Sequence, residues 1–335
     1  MTRAHGLHTH LLTRTDYQAL LKAKDAKSVS DYLMRGDYAQ LLEKTSAEYP
    51  SALHLAKVFR SLLVSRCYHL VGIAPGRSRT FLEAYLVRFQ VENMKRVFRA
   101  KHSEKVVDRG TLIQVPKGYD RVNLQAMIDA ATLQDAVGTL AKTPFAGIAD
   151  VMPIYEKYRF VSILEAFLEK TYFDSEVRPT LKKLPSQRKV AEVVGTEQDL
   201  LNIRMLVDLR ARKVAVDAVK ALSFMPGNLT DKAVSLISGA TPESIPPIIS
   251  KTPYASLAQP IQDALEPGKD ESLDHVARLE VFKRTRAMMM PYADTLAYVL
   301  GFVVEAETES NNLISIVTGK ELGLSEQRIQ SAVCI

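Results

Sequence analysis

"AKTPFAGIAD", Ala141–Asp150, returns 109 positions later as "SKTPYASLAQ", Ser250–Gln259. Both read Lys-Thr-Pro-aromatic-Ala, then a small residue, an aliphatic one and Ala. No reaction chemistry calls for this string even once. Recurrence at a fixed distance marks a repeated structural unit.

Two further echoes keep the same period. Asn93, Asn202 and Asn312, in "VENMKRVFRAK", "LLNIRMLVDLR" and "SNNLISIVTGK", are 109 and 110 apart. Around them Met94, Ile203 and Leu313 correspond, as do Val97, Leu206 and Ile316, and the cations Lys101, Arg210 and Lys320. "VPKGY" at Val115 and "MPGNL" at Met225 form the third echo. The first third carries a worn copy of the opening string, "RGDYAQLL", in which Tyr38 matches Phe145 and Tyr254, with Gly36 and Asp37 replacing Thr-Pro. From aromatic to asparagine the distances are 55, 57 and 58 residues. The chain therefore divides into three homologous units: 1–110, 111–224 and 225–335.

These units read as helix. Glycine is scarce (15 of 335 residues), tryptophan is absent, and long segments such as "FLEAYLVRFQVENMKRVFRA" exceed strand length. Leu55, Val58, Phe59, Leu62, Leu63, Cys67 and Leu70 keep the spacing of one helical face. Alternating patterns occur only in scraps such as "TLIQV", so the fold class is all-α. In the repeated string Thr143 and Thr252 are placed as N-caps, with Pro144 and Pro253 at the first helical position. Gly36 or Asp37 would cap the first copy. The junctions fall near Glu104–Arg121 and Ser223–Thr230, where Pro and Gly cluster. A period of this size exceeds that of solenoid repeats, and physics alone leaves two arrangements open: units in line, or units closed about a pseudo-threefold axis.

Composition narrows the function. A net charge of +6 permits an acidic partner without demanding nucleic acid. Cys67 and Cys334 are too few for a disulfide framework or a zinc site, which fits a reducing compartment. The N-terminus lacks the apolar core of a signal peptide. The most apolar window, Met288–Val304, is 17 residues long and contains Pro291 and Asp294, short of the ~20 a membrane span needs. His5, His8 and His10 form a loose pattern without nearby carboxylate or cysteine, and are read as solvated, with no metal. "GIAPGRSRTF" and "VTGKELG" lack the spacing of a phosphate-binding loop. Hydrolase and metalloprotease motifs are missing, so no catalytic residue and no cofactor is expected. The basic strings at Lys95–Lys105 and Arg210–Lys213 close helices and are read as solvated helix ends, where cations favour the dipole. Three residues before each asparagine stand Gln90, Asp199 and Glu309, on the same helical face. The asparagines are expected as buried amides hydrogen-bonded across the unit.

Taken together, the repeated "KTPFAGI"/"KTPYASL" and the asparagine series resemble the C subunits of the A/V-type ATP synthases, whose eukaryotic relative is the d subunit of the vacuolar proton pump. The resemblance runs from "LLTRTDYQALLKAKDAKSVSDYL" to the C-terminal "EAETESNNLISIVTGKELGLSEQRIQSAVCI". The histidine-rich start and the missing Thr-Pro of the first third depart from the pattern. What the resemblance implies is a funnel of three similar helical domains about a pseudo-threefold axis. It would lie on the cytoplasmic face of the membrane, with no span of its own, capping the proteolipid rotor ring and receiving the central-shaft subunits. Such a protein is a coupling adapter of a rotary ATPase without an active site. A shaft entering a threefold body meets unequal copies, so the charges that diverge between copies, Arg96 and Arg99 in the first, become candidate partner contacts. The rival readings are a free-standing helical scaffold binding another protein or nucleic acid, and a helical enzyme with its own small-molecule site.

Overall fold

The computed structural model describes residues 2–44, 50–185, 188–223, 226–265, 271–289 and 295–335. Every regular element among them is helical, in accord with the all-α reading. No helix among the described residues is long and apolar enough to cross a membrane. Of the apolar window, Pro291 and Asp294 lie outside the described residues, as does Met225 of the third echo. From Leu296 the window forms the start of a 26-residue helix, Leu296–Glu321.

By packing, the chain separates into two compact units. The first comprises Met1–Ala74, Asp108–Gln114 and Arg278–Ile335. Its centre is helix Ala52–Ile73 against helix Leu296–Glu321. The predicted face of the former is buried at Leu55, Val58, Phe59, Leu63, Cys67 and Leu70. Tyr17, Leu20, Val29, Leu33 and Tyr38 from the N-terminal side share one core with Leu313, Ile316, Val317, Ile329 and Val333 from the C-terminal side. The last third of the sequence therefore completes the core of the first. Tyr38 meets Phe59 edge to face, with centroids 5.5 Å apart, a geometry that aromatic quadrupoles favour.

The second unit comprises Pro75–Val107 and Val115–Ala277. Helices Gly76–Leu86, Arg88–His102, Ser162–Thr171 and Arg188–Ala211 are its longer described elements, and Ser162–Thr171 packs on Arg88–His102 and Arg188–Ala211.

The repeated string builds the same local structure twice, though not by the predicted N-cap. Thr143 Oγ donates to the Leu140 carbonyl at 2.7 Å and accepts the Phe145 N–H at 3.2 Å. Thr252 repeats this with Ile249 and Tyr254, at 2.7 and 3.1 Å. A hydroxyl that bonds the amide two residues on favours a turn over an α-helical first turn. Accordingly, 3-10 turns follow at Ala146–Val151 and Ala255–Leu257 before α-helix resumes. In the first copy Asp37 does not cap either. Its carboxylate is held by Arg66 and His10.

Capping recurs elsewhere with the period of the repeat. Thr13, Asn123 and Thr230 each accept a main-chain N–H and so begin helices Arg14–Lys22, Leu124–Asp129 and Asp231–Gly239. Those helices end under the repeated cations. Lys320 Nζ donates to the Leu21 carbonyl, Lys101 Nζ to those of Ile128 and Ala130, and Arg210 Nε to that of Ala240. Cations belong at this end of a helix, where carbonyls lack intrahelical partners. The basic helix ends are thus fastened to the following segment, which corrects the reading of Lys101 and Arg210 as merely solvated.

Candidate functional site

Three polar nodes, one centred in each third of the sequence, join the end of one third to the start of the next. Each is centred on the residue three before the asparagine. Asp199 is fully buried and accepts the N–H groups of Gly227, Asn228 and Leu229 at 2.7, 2.7 and 2.8 Å, and the Tyr254 hydroxyl at 2.8 Å. Glu309 accepts the Leu12 N–H at 2.5 Å, the Tyr38 hydroxyl at 2.8 Å and Arg66 Nη1 at 2.7 Å. Gln90 accepts the Arg121 N–H at 2.6 Å and donates to the Tyr119 carbonyl at 2.8 Å. In every case the bonded main chain lies just before the capped helix, so the node fixes where that helix starts.

Close approach makes the Asp199 node possible. A Cβ at Gly227 would stand 2.2 Å from the Gly195 Cα. Only paired glycines let the 226–229 turn lie flat on helix Arg188–Ala211 and present three amides to one carboxylate.

The nodes differ in charge. Burial opposes Arg66, but Glu309 beside it outweighs that effect and raises its pKa. Arg66 also reaches Asp37 at 3.1 Å and the His10 carbonyl at 3.1 Å. Burial pushes Asp37 up as well, yet hydrogen bonds from His10 and Arg66 prevail and hold its carboxyl below the ordinary value. Burial raises the Asp199 carboxyl, and the hydrogen bonds it accepts from Gly227, Tyr254, Asn228 and Leu229 only partly offset this. Burial and the neighbouring carboxylate raise the hydroxyls of Tyr38 and Tyr254, so both are donors at neutral pH.

The sequence-selected residues fall on this framework. Tyr38, Phe145 and Tyr254 are buried, at 3%, 0% and 0% exposure. Asn93, Asn202 and Asn312 are buried too. Asn312 clamps the C-terminal stretch, donating to the Cys334 carbonyl at 2.7 Å and accepting its N–H at 2.8 Å. Asn93 Oδ1 accepts from Arg96 Nη1 at 3.3 Å. Arg66 and Asp37 carry no signal of this role in the sequence. Arg66 is 243 positions from Glu309, a separation at which helical periodicity is silent.

A cleft of about 550 Å³ in the second unit brings together much of the divergent charge. Lys95, Arg99, Glu165, Glu169, Arg204 and Asp208 contribute to its lining, with apolar Leu201 and Met205. Arg99 forks onto Glu165 at 2.6 and 2.8 Å, the bidentate geometry that guanidinium favours. Lys95 is buried between Glu169, at 2.6 Å, and Glu92. Burial would lower its pKa, but the two carboxylates more than offset that and raise it. Arg96 is not among the lining residues.

The histidines are engaged with the first unit. His5 stacks on Tyr298 with centroids 4.2 Å apart, His8 Nε2 lies 2.6 Å from Glu305, and His10 Nδ1 lies 2.7 Å from Asp37. No group of three or more His, Cys, Asp and Glu among the described residues is arranged to hold a metal.

Comparison with known proteins accords with this architecture. The family described as ATP synthase (C/AC39) subunit matches residues 1–332. The C subunit of the Haloferax volcanii A-type ATP synthase is 26% identical over 349 aligned positions, covering 100% of this chain and 96% of that protein. Its counterpart in Methanobrevibacter smithii is 24% identical, over 88% of this chain and 76% of that protein. The match to the Methanosphaera stadtmanae counterpart, also 24% identical, spans 63% of this chain and 53% of that protein. With polar nodes that link each third of the chain to the next, and a family match along nearly its whole length, the chain belongs to the ATP synthase (C/AC39) subunit family.

Proposed function

We propose that this chain is the central-stalk adapter of a rotary A/V-type ATP synthase. It couples the central-shaft subunits to the proteolipid ring for ATP-linked proton or sodium transport, and has no active site, cofactor or metal of its own. The observation that carries this reading is the cyclic order of the nodes. Glu309 of the last third completes the first, Gln90 of the first serves the second, and Asp199 of the second serves the third. Units in line would leave the first and last incomplete. A cyclic order favours three helical domains closed about a pseudo-threefold axis, a funnel suited to receiving a shaft. Its fastenings are main-chain amides held by buried polar groups, a stiff construction appropriate to transmitting torque. The position is peripheral, on the cytoplasmic face, held through the complex.

Arg99 lines the cleft and is half exposed, and with Arg96 it forms part of the surface read as touching the shaft. Exchanging the pair as Arg99→Glu with Glu165→Arg preserves an internal ion pair while inverting its direction. Lost assembly at unchanged thermal stability is the expected result, and normal assembly would return Arg99 to a purely internal role.

The decisive experiment for the function is purification from detergent-solubilised membranes. The chain should accompany the proteolipids and shaft subunits, and membranes lacking it should lose ATP-driven ion transport while ATP hydrolysis by the detached catalytic head persists. Recovery of the chain apart from the proteolipids, with transport intact in its absence, would overturn the reading.

A further inference from the structure

The stretch "RPTLKKLPSQRK", Arg178–Lys189, carries five cations and no carboxylate, in a chain whose net charge is +6. Two of the five are ion-paired, Arg178 with Asp174 at 3.4 Å and Lys189 with Glu192 at 2.9 Å. Lys182, Lys183 and Arg188 are exposed, and none has a carboxylate partner among the described residues. Arg77, also exposed, joins them by donating from Nη1 to the Lys183 carbonyl at 3.2 Å. Leu184, next to Lys183, is buried.

Helix stability does not account for this placement. Arg77 lies in the first turn of Gly76–Leu86 and Arg188 opens Arg188–Ala211, neither of which has an acidic residue in its first turn. Cations there oppose the helix dipole. Local choices that run against local stability point to use elsewhere.

We propose that Arg77, Lys182, Lys183 and Arg188 form a docking surface for an anionic lipid bilayer. Among the described residues, no large hydrophobic residue of the stretch 178–189 or of helix Gly76–Leu86 is exposed, so the patch lacks the apolar anchor of a protein hot spot. It likewise lacks the exposed aromatics that stack single-stranded nucleic acid. Unpaired Lys and Arg without an anchor suit diffuse recognition of phosphate headgroups, which gains roughly fivefold in binding per cation near an anionic surface. The inference rests on the reading of the chain as part of a membrane-bound complex, and adds a lipid contact to its protein contacts.

Flotation of the full chain with vesicles tests it. Vesicles containing about a third phosphatidylglycerol in phosphatidylcholine should carry the protein at about 0.05 M salt and release it at about 0.5 M, where charges are screened within a few ångströms. Pure phosphatidylcholine should not carry it. Lys182→Glu with Lys183→Glu and Arg188→Glu should weaken partitioning about a hundredfold with unchanged thermal melting, since all three side chains are exposed. Lys22→Glu with Lys24→Glu and Lys44→Glu, exposed positions in the first unit, make the same change in net charge and should leave flotation intact. Binding that survives the first triple variant, an equal loss in the second, or no flotation at all overturns the proposal. So does displacement of the vesicles by inorganic phosphate at matched ionic strength, which would reduce the patch to a small-anion site. If co-purification with proteolipids holds while flotation fails, only the lipid contact falls. If flotation holds while co-purification fails, only the adapter reading falls.

Discussion

Asp199 and Glu309 occupy the same repeat position and do the same mechanical job in different electrostatic settings. Asp199 is satisfied by dipoles alone, three amides and one tyrosine hydroxyl. Glu309 shares its site with the guanidinium of Arg66, which in turn draws in Asp37. The third node, Gln90, dispenses with charge altogether and faces no tyrosine requirement, the third of the chain that it serves carrying Phe145 in the aromatic position. What persists across the copies is therefore an acceptor for the main chain that precedes a capped helix. Ionisation is optional. Hydroxyl and carboxylate come together because each satisfies the other in a buried place.

The largest expected effect follows from removing the charged node's centre. Glu309→Ala leaves a buried guanidinium with one remaining carboxylate and should lower unfolding free energy by about 3–5 kcal/mol in urea titrations. A loss below about 1 kcal/mol would mean that Arg66 finds water and that the ion pair adds nothing to this node. Asp199→Ala strands three amides and a hydroxyl without creating an unpaired charge, and should cost about 2–3 kcal/mol. Should it exceed the Glu309 effect, dipoles rather than ion pairs dominate these junctions. Tyr254→Phe copies the residue found naturally at Phe145 and should cost about 1 kcal/mol, the worth of one buried hydrogen bond. Lys101→Met should cost about 0.5 kcal/mol by uncapping helix Leu124–Asp129, with amide exchange quickening first at Ile128 to Ala130.

The smallest test reads a sign. Burial raises Asp199 above its ordinary value of 3.8, so the folded chain holds a proton there that the unfolded chain has released. Its contribution to stability should fall as pH rises from 3.8 through the raised value. For Asp37, lowered by His10 and Arg66 against the effect of burial, the unfolded chain takes up the proton first, and stability should be lost as pH falls through its folded value, below 3.8. Asp199→Asn should flatten the first slope and Asp37→Asn the second in urea midpoints measured against pH. Parallel slopes from the two variants would mean that both carboxylates sit in one kind of environment.

Much of this arrangement is legible in the sequence. The aromatic series, the asparagines, the cations eight residues on and the polar residues three before all show in the spacing, because the core and the junctions use them at nearly constant intervals. Local chemistry is less legible. Thr143 reads as the cap of an α-helix, yet its hydroxyl bonds backward to Leu140 and forward to Phe145, an option open to any Thr before Pro. Partners supplied from far along the chain leave no trace. Arg66 sits on a helical face that reads as apolar, and what permits its burial is a glutamate in the long C-terminal helix. The asparagines lie inside, as their spacing implies, but the tether between Asn312 and Cys334 depends on how the C-terminal residues return, and periodicity carries no information about that.

The dependence of the first core on the helix Leu296–Glu321 bears on how the molecule comes into being. Residues emerging first from the ribosome include Tyr17, Leu33, Tyr38 and Phe59, whose apolar neighbours Leu313, Ile316 and Val317 are translated near the end. For most of synthesis that surface has nothing to cover it, so holdase chaperones should remain associated until termination. A message truncated ahead of Leu296 should yield a product in which the N-terminal segment is digested first, while the middle of the chain, which draws on no late-translated partner at Asp199 or Gln90, resists.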